Sequence, residues 1–219
     1  MLNELDNLIK KDVWDIVLRP VNAYVIDCKW VLAVKRDSDR YKARLVARGF
    51  YRETFSPIVR RRMLRTLLAL CADNEWRYEH IDVECAYLNS PLDEVIYMEQ
   101  PEFFEFPGKD RTEYVCKLNK SLYALKQAGR MWFKHIANIL NSMNLKPCVS
   151  DPCVYVNASK DLIVAVYGDD ILVFGTSVTI NSFKVSVTSR NTTVDHPASR
   201  WPPDIQIILG TLNKPKDIS

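Results

Sequence analysis

The sequence predicts an α+β fold in which an antiparallel sheet packs on helices, and three stretches carry that prediction. Residues 24–47 read as two β-rich segments joined by turn residues. Residues 162–174 read as two apolar segments joined by Tyr-Gly-Asp-Asp. Between them, Leu64, Leu67, Leu68 and Cys71 recur at the i, i+3, i+4, i+7 spacing of an amphipathic helix.

In order along the chain, "YVIDCKWVLAVKR" (24–36) is rich in β-formers, "DSDR" (37–40) supplies the turn, and "YKARLVA" (41–47) resumes as a strand. Arg40, Lys42 and Arg44 fall two apart, so this strand projects three cations from one face. Such a face suits a phosphate chain and equally suits plain solubility. "RYEHIDV" (77–83) reads as a short strand ending near Asp82, and "PLDEVIYMEQP" (91–101) as a turn and a strand. From Ser121 to Met143, Leu125, Ala128, Trp132, Ile136, Ile139, Leu140 and Met143 lie at helical intervals, with Gly129 weakening the helix near its start. "DPCVYVN" and "LIVAVY" are further strands. Beyond Gly175 the texture turns rich in Ser, Thr, Asn and Pro without a period, so residues 176–219 are expected to form a poorly ordered tail.

Composition bounds the function. A chain of 219 residues, 47% hydrophobic and 26% charged, suits one soluble domain or little more. No uncharged apolar run approaches membrane-spanning length, so no membrane partner is expected. The acidic start, Met-Leu-Asn-Glu-Leu-Asp, is not a secretory signal, and an intracellular location is the expectation. The six cysteines form no CxxC pair and the three histidines are scattered, which argues against zinc. Between Lys29 and Arg65 twelve Lys and Arg face three acids, a local charge of +9 that leaves −6 for the remainder. A basic lobe beside a more acidic body fits a polyanionic partner held near carboxylates; a solvated charged face fits the same numbers.

Asp169 and Asp170 sit at the tip of the apolar hairpin, where Gly168 supplies the positive φ that tight turns require. Alone, the motif reads more readily as an ordinary solvent turn. Asp82 changes the balance, because it too ends a hydrophobic strand. Carboxylates gathered at one sheet edge repel, and a hard divalent cation relieves that cost. Such a site suits phosphoryl transfer.

"KWVLAVKRDSDRYKARLVARGF", "ETFSPIVR", "IDVECAYLNSPLDEVIYMEQP", "VCKLNKSLYALKQAGRMWF" and "YGDDILVFG" occur in that order, and the series resembles the copia-type (Pseudoviridae) retrotransposon reverse transcriptase over about residues 3–175. The resemblance implies a right-hand polymerase of fingers (about 24–66) and palm (about 67–175), with the thumb missing and 176–219 divergent. It implies RNA-directed DNA synthesis by two-metal transfer from a dNTP to a primer 3′-hydroxyl. Asp82, Asp169 and Asp170 are then the catalytic metal ligands for two Mg²⁺ ions, with Mn²⁺ as an alternative. Tyr87 takes the place of the steric gate against a ribose 2′-hydroxyl, although by itself it reads as a core aromatic. Gln127 matches the polar residue at the incoming nucleotide and reads equally as a helix-surface glutamine. Lys42 and Arg44 are implied at the triphosphate, and Lys126 and Arg130 at the phosphates of an RNA or DNA template-primer. Oligomeric state stays open.

Departures from the family pattern are specific. Gly168 stands where the family usually has valine, Ala124 where it has glycine, and Gly129 where it has proline. The linker between Phe50 and Glu53 is short. With the thumb missing, poor affinity and processivity are expected, and a catalytically inactive nucleic-acid-binding relict is the alternative.

Overall fold

The computed structural model describes residues 2–35, 40–48, 56–83, 85–104, 106–188 and 194–195. Among them the fold is mixed α+β, with two sheets and four α-helices. The chain divides into two compact units, Met1–Ser56 with Cys85–His135, and Pro57–Glu84 with Ile136–Ser219. These boundaries cut across the expected division at residue 66, because each unit draws on separated segments of chain.

The first unit holds a five-stranded sheet of order β1-β6-β5-β2-β3. Its strands are β1 (Trp14–Leu18), β2 (Val25–Lys35), β3 (Arg40–Arg48), β5 (Pro91–Met98) and β6 (Tyr114–Lys120). β2 and β3 pair antiparallel from Asp27↔Arg48 to Lys35↔Arg40, as the hairpin pattern predicts. The turn residues 37–39 and the short linker 50–53 lie outside the described residues. β2 also runs parallel to β5, through Val25↔Tyr97 and Ile26↔Met98, so this sheet is mixed where an antiparallel one was expected. Helix α1 (Leu2–Lys10) buries Leu5 and Leu8 in a core with Leu45, Leu88, Met98, Cys116 and Leu122.

β3 is an edge strand, and two of its outward amides, those of Leu45 and Ala47, are covered. Ala47 N–H donates to the Tyr123 carbonyl at 3.0 Å, and the Leu45 amide meets the Glu4 carboxylate of α1. Both contacts blunt an edge that would otherwise template strand addition.

The helix expected from Ser121 onward begins later, as α3 (Ala128–Ser142). Residues before it cannot continue a right-handed helix, because Ala124 sits at φ 66°. A left-handed conformation is strained for alanine and free for glycine. Ala124→Gly is therefore expected to stabilise the chain by about 0.5–1 kcal/mol, a rise of about 1–4 °C in Tm in thermal denaturation. An unchanged or lower Tm would contradict the strain assigned to Ala124.

The second unit holds an antiparallel sheet of order β11-β4-β10-β9-β8-β7. It comprises β4 (Arg77–Val83), β7 (Lys146–Pro147), β8 (Val154–Val156), β9 (Leu162–Tyr167), β10 (Asp170–Gly175) and β11 (Val194–Asp195). Helix α2 (Arg61–Asp73) buries Leu64, Leu67, Leu68 and Cys71, the four residues whose spacing predicts it. The amide of its N-cap residue is met by a buried carboxylate: Arg60 N–H donates to Asp151 Oδ2 at 3.1 Å. A buried anion at a helix N-terminus satisfies donors that have no intrahelical partner.

The stretch expected to be a poorly ordered tail begins instead with helix α4 (Ser177–Thr188), which buries Ile180, Phe183 and Val187. Its apolar residues lie far enough apart that Ser and Thr mask them in the composition. Lys184 Nζ pairs with Glu79 of β4 at 2.6 Å. Entry into α4 depends on Gly175, where a Cβ would stand 2.6 Å from the Asp161 carbonyl oxygen and 2.7 Å from Thr179 Oγ1. Gly175→Ala is expected to cost about 2 kcal/mol in urea denaturation, since a backbone carbonyl must move to admit the methyl group. A cost below about 0.5 kcal/mol would show that the close approach is loose.

Candidate active site

Asp82 and Asp170 are brought together by strand register. Each is the direct antiparallel partner of the other, Asp82 on β4 and Asp170 at the start of β10. Opposed residues of an antiparallel pair project from the same face. β9 and β10 are joined by two residues, Gly168 and Asp169, because Tyr167 pairs with Asp170. Gly168 has φ 64°, as expected for the first central position of a primed hairpin turn. Asp169 is tied to the neighbouring strand through its carbonyl, which accepts from Val83 N–H at 3.2 Å. β11 pairs with the other side of β4, setting Asp195 opposite Asp82, so Asp82 lies on an interior strand.

Asp170 is only 6% exposed and shares its face with the fully buried Leu172, whereas Asp82 and Asp169 are half-buried. His80 Nε2 lies 2.8 Å from Asp170 Oδ1, and both side chains are 8% exposed. His80 precedes Asp82 by two residues and therefore shares its face. Its Cα partner is Leu172, which places it diagonal to Asp170. His80 was missed at the sequence level, although strand periodicity would have put it on the acidic face.

The donor chemistry fits a divalent cation: carboxylates on adjacent strands, with a third at the turn, are oxygen ligands of the kind Mg²⁺ takes. Among the described residues, however, no three acidic, histidine or cysteine side chains stand as a ready metal-holding group. One oxygen of Asp170 is turned to His80.

The other sequence-predicted residues all belong to the first unit. Lys42 and Arg44 lie two apart on β3, both half-buried. The Arg44 guanidinium sits 5.3 Å from the centroid of the Tyr123 ring, and Tyr123 meets Tyr87 edge-on at 5.7 Å. Two expected site residues, Arg44 and Tyr87, are therefore linked through an aromatic that the sequence analysis did not single out. Tyr87 lies in a short 3-10 turn, Ala86–Asn89, and packs partly buried against the first unit's core. Glu4 of α1 stands beside the two cations; burial holds its carboxyl above the usual range, against the opposing pull of Arg44 and Lys42.

Gln127 immediately precedes α3, and its carbonyl accepts from Met131 N–H at 2.9 Å. Its side-chain amide donates to Glu94 Oε1 at 2.8 Å. Lys126 and Arg130 are exposed on either side of it. None of the six cysteines forms a disulfide. No helix among the described residues is long and apolar enough to cross a membrane.

A profile of the reverse transcriptase (RNA-dependent DNA polymerase) family matches residues 11–197. The match runs past Gly175, where the sequence resemblance was expected to stop. The chain is 41% identical over 189 residues to the retrovirus-related Pol polyprotein from transposon TNT 1-94 of Nicotiana tabacum, a match covering 80% of this chain and 14% of the relative. It is 38% identical over 194 residues to the corresponding polyprotein from transposon RE1 of Arabidopsis thaliana, covering 82% of this chain and 13% of the relative. With transposon RE2 of the same plant the identity is 33% over 208 residues, covering 89% and 14%. The chain thus spans about one seventh of the length of the curated relatives it matches. On these grounds it belongs to the reverse transcriptase (RNA-dependent DNA polymerase) family, among the copia-type retrotransposon enzymes.

Proposed function

We propose that this chain is the fingers and palm portion of an RNA-directed DNA polymerase, extending a primer on an RNA or DNA template with deoxynucleoside triphosphates. The observation that carries the reading is the pairing of Asp82 with Asp170, beside a two-residue turn that presents Asp169, within a chain of this family. Asp82, Asp169 and Asp170 would hold two Mg²⁺ ions, which when bound activate the primer hydroxyl and stabilise the departing pyrophosphate. Lys42 and Arg44 supply positive charge for the triphosphate. Tyr87 crowds the 2′ position of the sugar, and Gln127 contacts the incoming nucleotide. Lys126 and Arg130 meet template-primer phosphates.

A second reading, nucleic-acid binding without turnover, is favoured by the contact of His80 with Asp170, which occupies one proposed ligand oxygen. Primer extension on poly(rA)·oligo(dT) with dTTP separates the two readings. Incorporation supports the polymerase; duplex binding without incorporation supports the second. Calorimetric titration with Mg²⁺ adds a test of the site, with weaker binding expected in Asp169→Asn. Identical binding would remove Asp169 from it.

A further inference from the structure

We infer that Glu94 is a positioning residue for Gln127, held in place by a bulge in β5; the inference rests on the proposal that Gln127 contacts the incoming nucleotide. The bulge is visible in the register. Pro91 faces Lys120, yet Ile96 faces Leu118, so β5 advances five residues while β6 advances two. The surplus lies at 92–95 and contains Asp93 and Glu94. Bulges of this kind re-aim side chains that a regular ladder would direct elsewhere.

Both acids reach α3 or the residue before it. Asp93 Oδ2 takes Lys134 Nζ at 3.0 Å, and this hydrogen bond holds the Asp93 carboxyl below its usual range. Glu94 Oε1 takes Gln127 Nε2 at 2.8 Å. A carboxylate only accepts, whereas a glutamine amide has a donating and an accepting end. Glu94 therefore selects one of the two amide orientations. With one N–H of Gln127 committed to Glu94, the orientation of the amide is set, and its carbonyl Oε1 and second N–H are presented to another partner in a fixed arrangement. Gln127 meets its ligand with its side chain already ordered.

Lys134 and Gln127 are seven residues apart, so the two contacts fix both the rotation and the start of α3. The Asp93 contact serves the helix; the Glu94 contact serves the side chain that precedes it. That separation gives the test its control, because Asp93→Asn removes the charge from the helix contact while leaving the amide lock.

The test uses the full 219-residue chain. The Gln127 side-chain amide is identified in a ¹H–¹⁵N spectrum by its disappearance in Gln127→Ala. In Glu94→Ala, and more weakly in Glu94→Gln, its resonances are expected to move to the positions of a free amide; in Asp93→Asn they are expected to stay. Gln127 resonances that coincide in wild type and Glu94→Ala would overturn the lock. Affinity for dTTP on poly(rA)·oligo(dT) is then measured for Glu94→Ala, Gln127→Ala and the double variant. Each is expected to weaken about tenfold, and the double variant no further. Unchanged affinity in Gln127→Ala would overturn the nucleotide-contact reading itself. Weakened affinity in Gln127→Ala with unchanged affinity in Glu94→Ala would overturn the positioning role alone.

Discussion

Asp82→Asn is expected to lower primer extension about a thousandfold or more while leaving thermal stability within about 0.5 kcal/mol of wild type. Asparagine keeps the shape of the side chain and the backbone pairing of β4 with β10, so the sheet has no reason to change. What it loses is an anionic oxygen for a hard cation. Metal-assisted stabilisation of charge in a transferring phosphoryl group amounts to several kcal/mol, and each 1.36 kcal/mol is a factor of about ten in rate. Asp82 is the discriminating position because it lies on a different strand from Asp169 and Asp170. A loss confined to the hairpin acids would fit damage to the turn, whereas a loss at Asp82 requires the strands to act together. Incorporation in Asp82→Asn within about tenfold of wild type would rule out the proposed assembly of carboxylates.

His80→Leu is expected to destabilise the chain by about 3 kcal/mol, or about 6–12 °C in Tm. His80 and Asp170 are each 8% exposed and 2.8 Å apart, so leucine leaves the carboxylate without this partner in apolar surroundings. The cost of a broken buried pair lies mainly in the group left behind rather than in the bond lost. Removing the remaining charge should therefore recover stability. The double variant His80→Leu with Asp170→Asn is expected to be more stable than His80→Leu alone. Urea denaturation of the two single variants and the double closes the cycle and isolates the pairwise contribution. Additive effects would mean that the two side chains touch without depending on each other.

Much of this architecture was legible in the sequence because periodicity records burial directly. α2 follows Leu64, Leu67, Leu68 and Cys71 exactly as their spacing requires. The strand 77–83 and the Gly168 turn were readable for the same reason, as a period of two and a residue suited to positive φ. β1 and β6 were not identified, since "WDIVL" is short and "YVCKLNK" alternates only weakly. The start of α3 was misplaced because the apolar period continues through residues whose backbone is broken at Ala124; φ is invisible to a hydrophobic pattern. α4 was hidden by its serines and threonines.

The candidate site divides the same way. Asp82, Asp169 and Asp170 were readable as candidates because each stands at the edge of an apolar stretch. His80 and Glu94 were not, since their partners lie 90 and 33 residues away and become neighbours only through pairing and a bulge. Tyr123 was passed over within a motif whose recognised residue was Gln127.

The way the chain is shared between its units has a consequence for biosynthesis. β1 must wait for β6, where Trp14 finds Leu118, and β4 must wait for β10, where Asp82 finds Asp170. A nascent chain leaving the ribosome therefore completes neither sheet early. When residues 1–100 have emerged, β1 and β4 still lack their long-range neighbours, exposed to chaperones and to misassociation. Trimming the gene to a single contiguous span would not isolate either unit, and any attempt to express one alone calls for circular permutation or a designed bridge between distant ends.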